Sequence, residues 1–255
     1  MKQSILILLI FMFTILSCSE DNDDKVSQAN ITLNFSHNWD GTPVTNADFN
    51  TIKFTNAFGN QLSIERLRYL ISKVIFYKTD GSQTVLDGYN LVDVTNNENL
   101  SFTSITSVAT GSYTNVTFTF GFNNEDNNGN YPDLNTSWIV PEMLGGGYHY
   151  MQFDGNFLNA SNQEQGFNYH AIRAADNPGP NPTFPQDTFF NVSLGAITIS
   201  TNTTFNIEMN IAEWFKTPNT WDLNQLNSSL MANSDAQIKM FENGQNVFSL
   251  KSDNP

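Results

Sequence analysis

Apolar and polar residues alternate cleanly over residues 29–37, where Ile31, Leu33, Phe35 and His37 fall on one face of a strand. The same period of two runs through residues 113–122, with Val116, Phe118, Phe120 and Phe122 on one side and Thr117 and Thr119 on the other. Further extended runs read at 74–77, 89–94, 100–105, 188–199, 203–211 and 247–250. The runs at 188–199 and 203–211 are expected to pair across the turn at Ser200, Thr201 and Asn202. Helical spacing is rarer. Ile64, Leu67 and Leu70 follow Ser63 as a cap, Leu223, Leu226 and Leu230 recur at helical intervals, and Ser234 with Gln237 has the form of a capping box. Many short strands with polar turns and no internal repeat predict an all-β protein, a β-sandwich with a few short decorating helices.

The centre of chemical interest is the stretch 145–173, which holds His149 and His170, two of the three histidines in the chain. Each sits in a short aromatic run that reads as a strand. Strict alternation puts His149 on a face with Met151 and Phe153, opposite Tyr148, Tyr150 and Gln152. His37 is in phase with the buried side of its own strand. A single buried histidine is more often a hydrogen-bonded core residue than a ligand. Three imidazoles with a thioether, in a chain whose one cysteine lies near its start, suit copper, and Cu(I) foremost. Signatures for hydrolytic or phosphoryl chemistry are missing: no Gly-x-Ser-x-Gly, phosphate-binding glycine loop or His-Glu-x-x-His. Residues 124–129 resemble a calcium loop only loosely, lacking the first Asp and placing Asn135 where the closing Glu belongs, and read as a polar turn.

Composition narrows the setting. The 255 residues carry a net charge of −14, which argues against nucleic acid as a partner and favours cations. Residues 1–17 read as a lipoprotein signal peptide: Lys2 precedes a short apolar run, too short to span a membrane, that ends at Ser17 before Cys18. A small residue followed by cysteine here resembles a bacterial lipobox, which implies cleavage before Cys18 and a lipid on its sulfur. Cleavage leaves 25 acids against 10 bases, because only Lys2 is lost, and a net charge of −15. Residues 18–28 form an acidic tether that buries no core, and its run after the cysteine resembles the surface-export signal of Bacteroidetes lipoproteins. Residues 29–252 then make one domain without a disulfide. The address is the outer membrane, reached by the lipid anchor alone and facing the periplasm or the cell surface.

Several segments in order carry a family resemblance: residues 31–37, 67–72, 89–93, 111–113 with 118–121, then Gly147, Tyr148, His149 through Asp154 and Gly155, and finally Phe167, Asn168, Tyr169 and His170. Together they resemble the MbnP-like domain, named for the periplasmic copper protein of methanobactin operons. The resemblance spans about residues 30–250. It implies a copper-binding β-sandwich that does no chemistry itself, and a di-haem partner of the MauG-like or cytochrome c peroxidase type that oxidises a tryptophan near the metal to kynurenine. His170 matches the family's aromatic-His segment and His149 lies in the matching Gly-Tyr…acid-Gly strand. His37 is added from its buried phase and Met151 as a fourth group. Trp138, in the loop leading to Gly147, and Trp39, two residues after His37, both stand as the oxidised residue. The chain departs from the family's compact Trp-to-Gly-Tyr connection by inserting residues 141–147.

The reading that follows is a non-catalytic, lipid-anchored copper-binding protein of the cell envelope, serving copper acquisition or handling. The rival is a surface lipoprotein that binds a glycan or a protein through exposed Trp and Tyr side chains. A hydrolase would need two carboxylates facing across a cleft.

Overall fold

The computed structural model describes residues 27–251. The signal peptide, Cys18 and all but the last two residues of the tether lie outside them. Among the described residues, no helix is long and apolar enough to cross a membrane. Among these residues strands dominate, gathered into one large sheet, one smaller sheet and a two-stranded pair of Gln28–Ala29 with Val108–Ala109, with one α-helix and several short 3-10 turns.

The smaller sheet is built on β1 (Ile31–Trp39), whose alternating side chains bury Ile31, Leu33, Phe35 and His37 together, as the sequence pattern predicts. The large sheet is built on β2 (Arg66–Tyr77), paired along one edge by β3 (Gln83–Asp93). Its other edge is shared. The C-terminal half of β2 pairs with β4 (Gly111–Phe120) and the N-terminal half with β5 (Met151–Leu158). The division falls at Leu70, whose carbonyl accepts from Gly121 N while its own N–H donates to Tyr150 O, both at 2.8 Å. Residues 121–150 therefore leave and rejoin the sheet at one fork. β6 (Glu164–Ala171) follows β5 as a hairpin partner and β7 (Phe190–Ile199) lies on β4.

The apparent helix at Ile64, Leu67 and Leu70 is strand. A bulge after Ser72, with Lys73 at φ +40°, shifts the phase of β2, so Leu67, Tyr69 and Ile71 face the main core before it and Val74 and Phe76 after it. Leu70 is buried on the opposite face, and burial on both faces imitated a helical period. The hairpin expected at residues 200–202 is also absent. β8 (Thr203–Asn210) leaves the large sheet and runs parallel to β1, covering eight residue pairs from Thr203 opposite Ile31 to Asn210 opposite Asn38. Leu223 and Leu226 lie in turns, Leu230 opens a short 3-10 helix, and α1 (Ser234–Gly244) is the one α-helix among the described residues. Its cap is Asn233, whose side chain accepts from Ala236 N, rather than Ser234. β9 (Phe248–Leu250) closes the smaller sheet against β8.

Aromatic rings join the two sheets: Phe35 meets Tyr69 and Phe118 edge-on at 6.0 Å each, and Phe118 meets Phe248 at 5.4 Å. This is the sandwich core. A second, smaller core lies on the other side of the large sheet, where the 121–150 segment folds back and buries Leu70, Phe122, Leu134, Trp138 and Tyr148. Phe122 belongs here and not with Phe118 and Phe120, because Gly121 at φ +81° turns the chain over at the strand's end. A Cβ at Gly121 would stand 2.4 Å from the Tyr150 ring, so glycine is required there for space as well as for conformation.

Candidate metal centre

His149 and His170 meet on the outer face of the large sheet, beside the second core. Their rings are 5.3 Å apart, edge to face. β6 supplies His170. Its neighbours Tyr169 and Ala171 point into the sandwich, so strand alternation turns His170 outward, opposite Gln152 of β5. His149 reaches the same face by a different route. It precedes β5, and its backbone N–H donates to Trp138 O at 2.9 Å, which ties it to the returning loop. Tyr150 and Met151, although consecutive, both enter the main core, so the alternation breaks at this point. The expected grouping of His149 with Met151 and Phe153 is thereby overturned.

Each ring has one nitrogen held by a hydrogen bond. His149 Nδ1 bonds Trp138 O at 2.9 Å, the same carbonyl that receives its backbone N–H. Its Nε2 is buried without a partner. Burial pushes the ring's pKa down to about 4, so His149 is neutral near pH 7 and Nε2 carries a lone pair when Nδ1 is the protonated nitrogen. His170 Nε2 bonds Asp154 Oδ1 at 2.8 Å, leaving Nδ1 as its other ring nitrogen. Asp154 is held in turn by Asn168 Nδ2 on Oδ1 and Arg66 Nε on Oδ2, both at 2.5 Å. Burial alone would raise the Asp154 pKa, but the bonds from His170, Asn168 and Arg66 outweigh it and bring the carboxyl down to about 2.

Trp138 closes the other side. Its indole is fully buried, 5.8 Å from the His149 ring, and its Nε1 has no hydrogen-bond partner. The Arg68 guanidinium lies 5.0 Å from its ring centre. Arg68 also binds Gln152 Oε1 through Nε at 3.0 Å and Nη2 at 2.6 Å, and Gln152 Nε2 donates to Ser137 O at 2.9 Å. A lateral row from β2 through β5 to β6 thus fixes both the loop and the histidine pair.

The other expected site residues lie across the sheet. Met151 sits opposite Tyr69 and Ala171 in the sandwich core. His37 points into that core from the smaller sheet, its Nε2 3.1 Å from Tyr69 Oη, and burial pushes it too to about 4. Trp39 packs between Phe54 and Phe215 and donates from Nε1 to Thr55 O. Strand alternation predicted the burial of His37 correctly, but the fold buries all three on the face away from the histidine pair. Among the described residues, no three His, Cys, Asp or Glu side chains gather as a metal-holding group. All four tryptophans are buried, so none offers an exposed stacking surface. The supporting residues Asp154, Gln152, Arg68 and Arg66 were not among the sequence candidates. A signal for two of them existed: Gln152 and Asp154, with Asn156, are polar at alternate positions of a strand that is otherwise apolar or glycine.

The donor set suits copper. Two imidazoles with outer nitrogens fixed by a carbonyl and a carboxylate, and one inner nitrogen buried and unpartnered, have the form of ligands oriented by a surrounding shell. The molecule is thus a β-sandwich with a close pair of histidines, His149 buried and His170 partly exposed, at the exit of a sheet fork.

The family of that class is defined by the sequence itself: the MbnP family model matches residues 28–232, and the chain belongs to that family. MbnP from Methylosinus trichosporium shares the fold, with a TM-score of 0.53 over 82% of this chain and 84% of that one, at 11% identity. No curated protein sequence matches the chain.

Proposed function

We propose that this is a copper-binding protein of the cell envelope, non-catalytic, lipid-anchored through Cys18, and concerned with copper acquisition or handling. His149 and His170 hold the metal. The observation that carries the reading is the buried, unpartnered Nε2 of His149 beside a second imidazole whose far nitrogen is committed to Asp154. Bound copper supplies a soft cation for storage or transfer, and imidazole with sulfur favours Cu(I). The chain's own part is to keep the His149 ring neutral by burial and to hold both rings in place through Trp138 O and Asp154. Trp138 is our choice for modification by a di-haem partner of the MauG-like or cytochrome c peroxidase type, because its ring lies 5.8 Å from that of His149 whereas Trp39 packs in the sandwich core. With both tryptophans internal, a stacking platform for glycans has no support from them.

Metal analysis of the purified protein, with Cu(I) affinity from chelator competition under reducing conditions, tests this. One tight equivalent is expected, lost in both His149→Ala and His170→Ala. Copper retained in full by both variants would overturn the assignment.

A further inference from the structure

Resting on that reading, we infer that the Met231 thioether is a further copper ligand of the centre, in place of the core-facing Met151. Two imidazoles alone offer two nitrogen donors, and among the described residues no additional His, Cys, Asp or Glu completes a cluster with them. A further donor from the protein would therefore be of another type. Beside His170 opens a cavity of 420 Å³, lined with Leu144, Asn168, Leu230, Met231 and Ala232. Its walls are mainly apolar, and Met231 supplies its sulfur. A thioether in a mainly apolar pocket is the soft, uncharged donor that Cu(I) selects.

The placement of Met231 is built into the chain. Residues 227–231 run along β6, the strand that carries His170. Asn168 N donates to Asn227 O at 2.8 Å, fixing the start of the segment. Ser229 takes the left-handed conformation, φ +58°, and turns the chain back toward the pocket. Gln237 of α1 then clamps both partners with one amide group: its Nε2 donates to His170 O at 2.8 Å and to Leu230 O at 3.1 Å. Its Oε1 accepts from Ile172 N at 2.8 Å. The residue next to Leu230 is thus held at the pocket wall while the backbone of His170 is fixed by the same side chain. Met231 packs against the small apolar group of Val140, Leu144 and Ile172, which keeps it partly buried.

The test is X-ray absorption at the copper edge of the Cu(I)-loaded protein, with chelator competition on Met231→Leu, which keeps the volume and removes the sulfur. Met143→Leu, at an exposed methionine of the same neighbourhood, is the control. A sulfur scatterer that vanishes in Met231→Leu is expected, with Cu(I) affinity lowered by at least about tenfold and Met143→Leu unchanged. A nitrogen-only spectrum with unaltered Met231→Leu affinity overturns this inference and leaves the two-histidine function standing. Wild-type protein that takes up no copper overturns both. Unchanged urea unfolding of Met231→Leu separates lost coordination from lost structure.

Discussion

His37 and His149 are alike by the measures most often used to find a functional histidine. Both are buried, burial holds both near a pKa of about 4, and both have a ring nitrogen within hydrogen-bond reach of a protein oxygen. They differ in company. His37 stands among core aromatics, with Tyr69 Oη as its partner across the sandwich. His149 has a second imidazole 5.3 Å away, a buried nitrogen with no partner, and an indole on its other side. Burial and a lowered pKa mark a histidine as internal. An uncommitted nitrogen beside a second imidazole is what sets His149 apart as the proposed ligand.

The sharpest way to break this contrast is to remove each histidine. His149→Ala and His170→Ala should each lower Cu(I) affinity on the order of a hundredfold or more, whereas His37→Gln should leave it unchanged. Glutamine keeps a group able to bond Tyr69 Oη. Chelator competition reads all three, and equal losses at His37 and His149 would erase the distinction.

The next effect is on stability, where burial makes the two histidines alike and His37 can be tested without touching the pair. The folded-state pKa of His37 lies below its unfolded value of about 6.5, so folding is favoured by the neutral ring. The stability it contributes is full above that unfolded value and is lost as pH falls toward the folded value of about 4. Between pH 7 and pH 5 the metal-free wild type should lose about 2 kcal/mol more than His37→Gln. Urea unfolding at the two pH values measures it. Parallel losses in both proteins would show that the His37 ring is not the group responsible.

The same contrast explains how much could be read from the chain. Ile31 through His37 alternate without interruption, so period two located β1 and the burial of His37 correctly. The large sheet departs from that rule at the places that build the site. The bulge at Lys73 changes the phase of β2, and Gly121 turns Phe122 out of the sandwich. His149 lies just before β5, where Trp138 O holds it and regular alternation does not apply. Periodicity therefore put His149 and Met151 on one face, while the fold puts them on two. The family segments 147–155 and 167–170 did pick out both histidines. They could not supply Asp154 and Arg68 as supports, because those contacts join β2, β5 and β6 across residues 66–170. The parallel pairing of β8 with β1 was equally hidden, since residues 200–202 have the composition of an ordinary hairpin turn.

A smaller effect separates the histidine pair from its supports. Asp154→Asn keeps an oxygen for His170 Nε2–H but removes the negative charge that orients and polarises the ring. Copper affinity should fall by about tenfold, in the range of outer-shell changes at metal-bound histidines. Loss as large as that of His170→Ala would make Asp154 itself a ligand. No loss would mean that the β5–β6 pairing alone orients His170.

The smallest expected effect tests whether the outer layer owes its order to α1. Asn233 caps this helix by accepting from Ala236 N, and the helix presents Gln237 to the carbonyls of His170 and Leu230. Asn233→Ala should cost about 1 kcal/mol of stability in thermal or urea unfolding. If α1 only covers the sheet, copper affinity will not follow. If Gln237 is what keeps the 227–231 segment beside His170, Asn233→Ala and Gln237→Ala should weaken copper binding together, whereas His37→Gln alters pH-dependent stability with no change in copper affinity. Copper binding would then depend on a helix cap some sixty residues away in sequence, because one amide joins helix, turn and ligand strand.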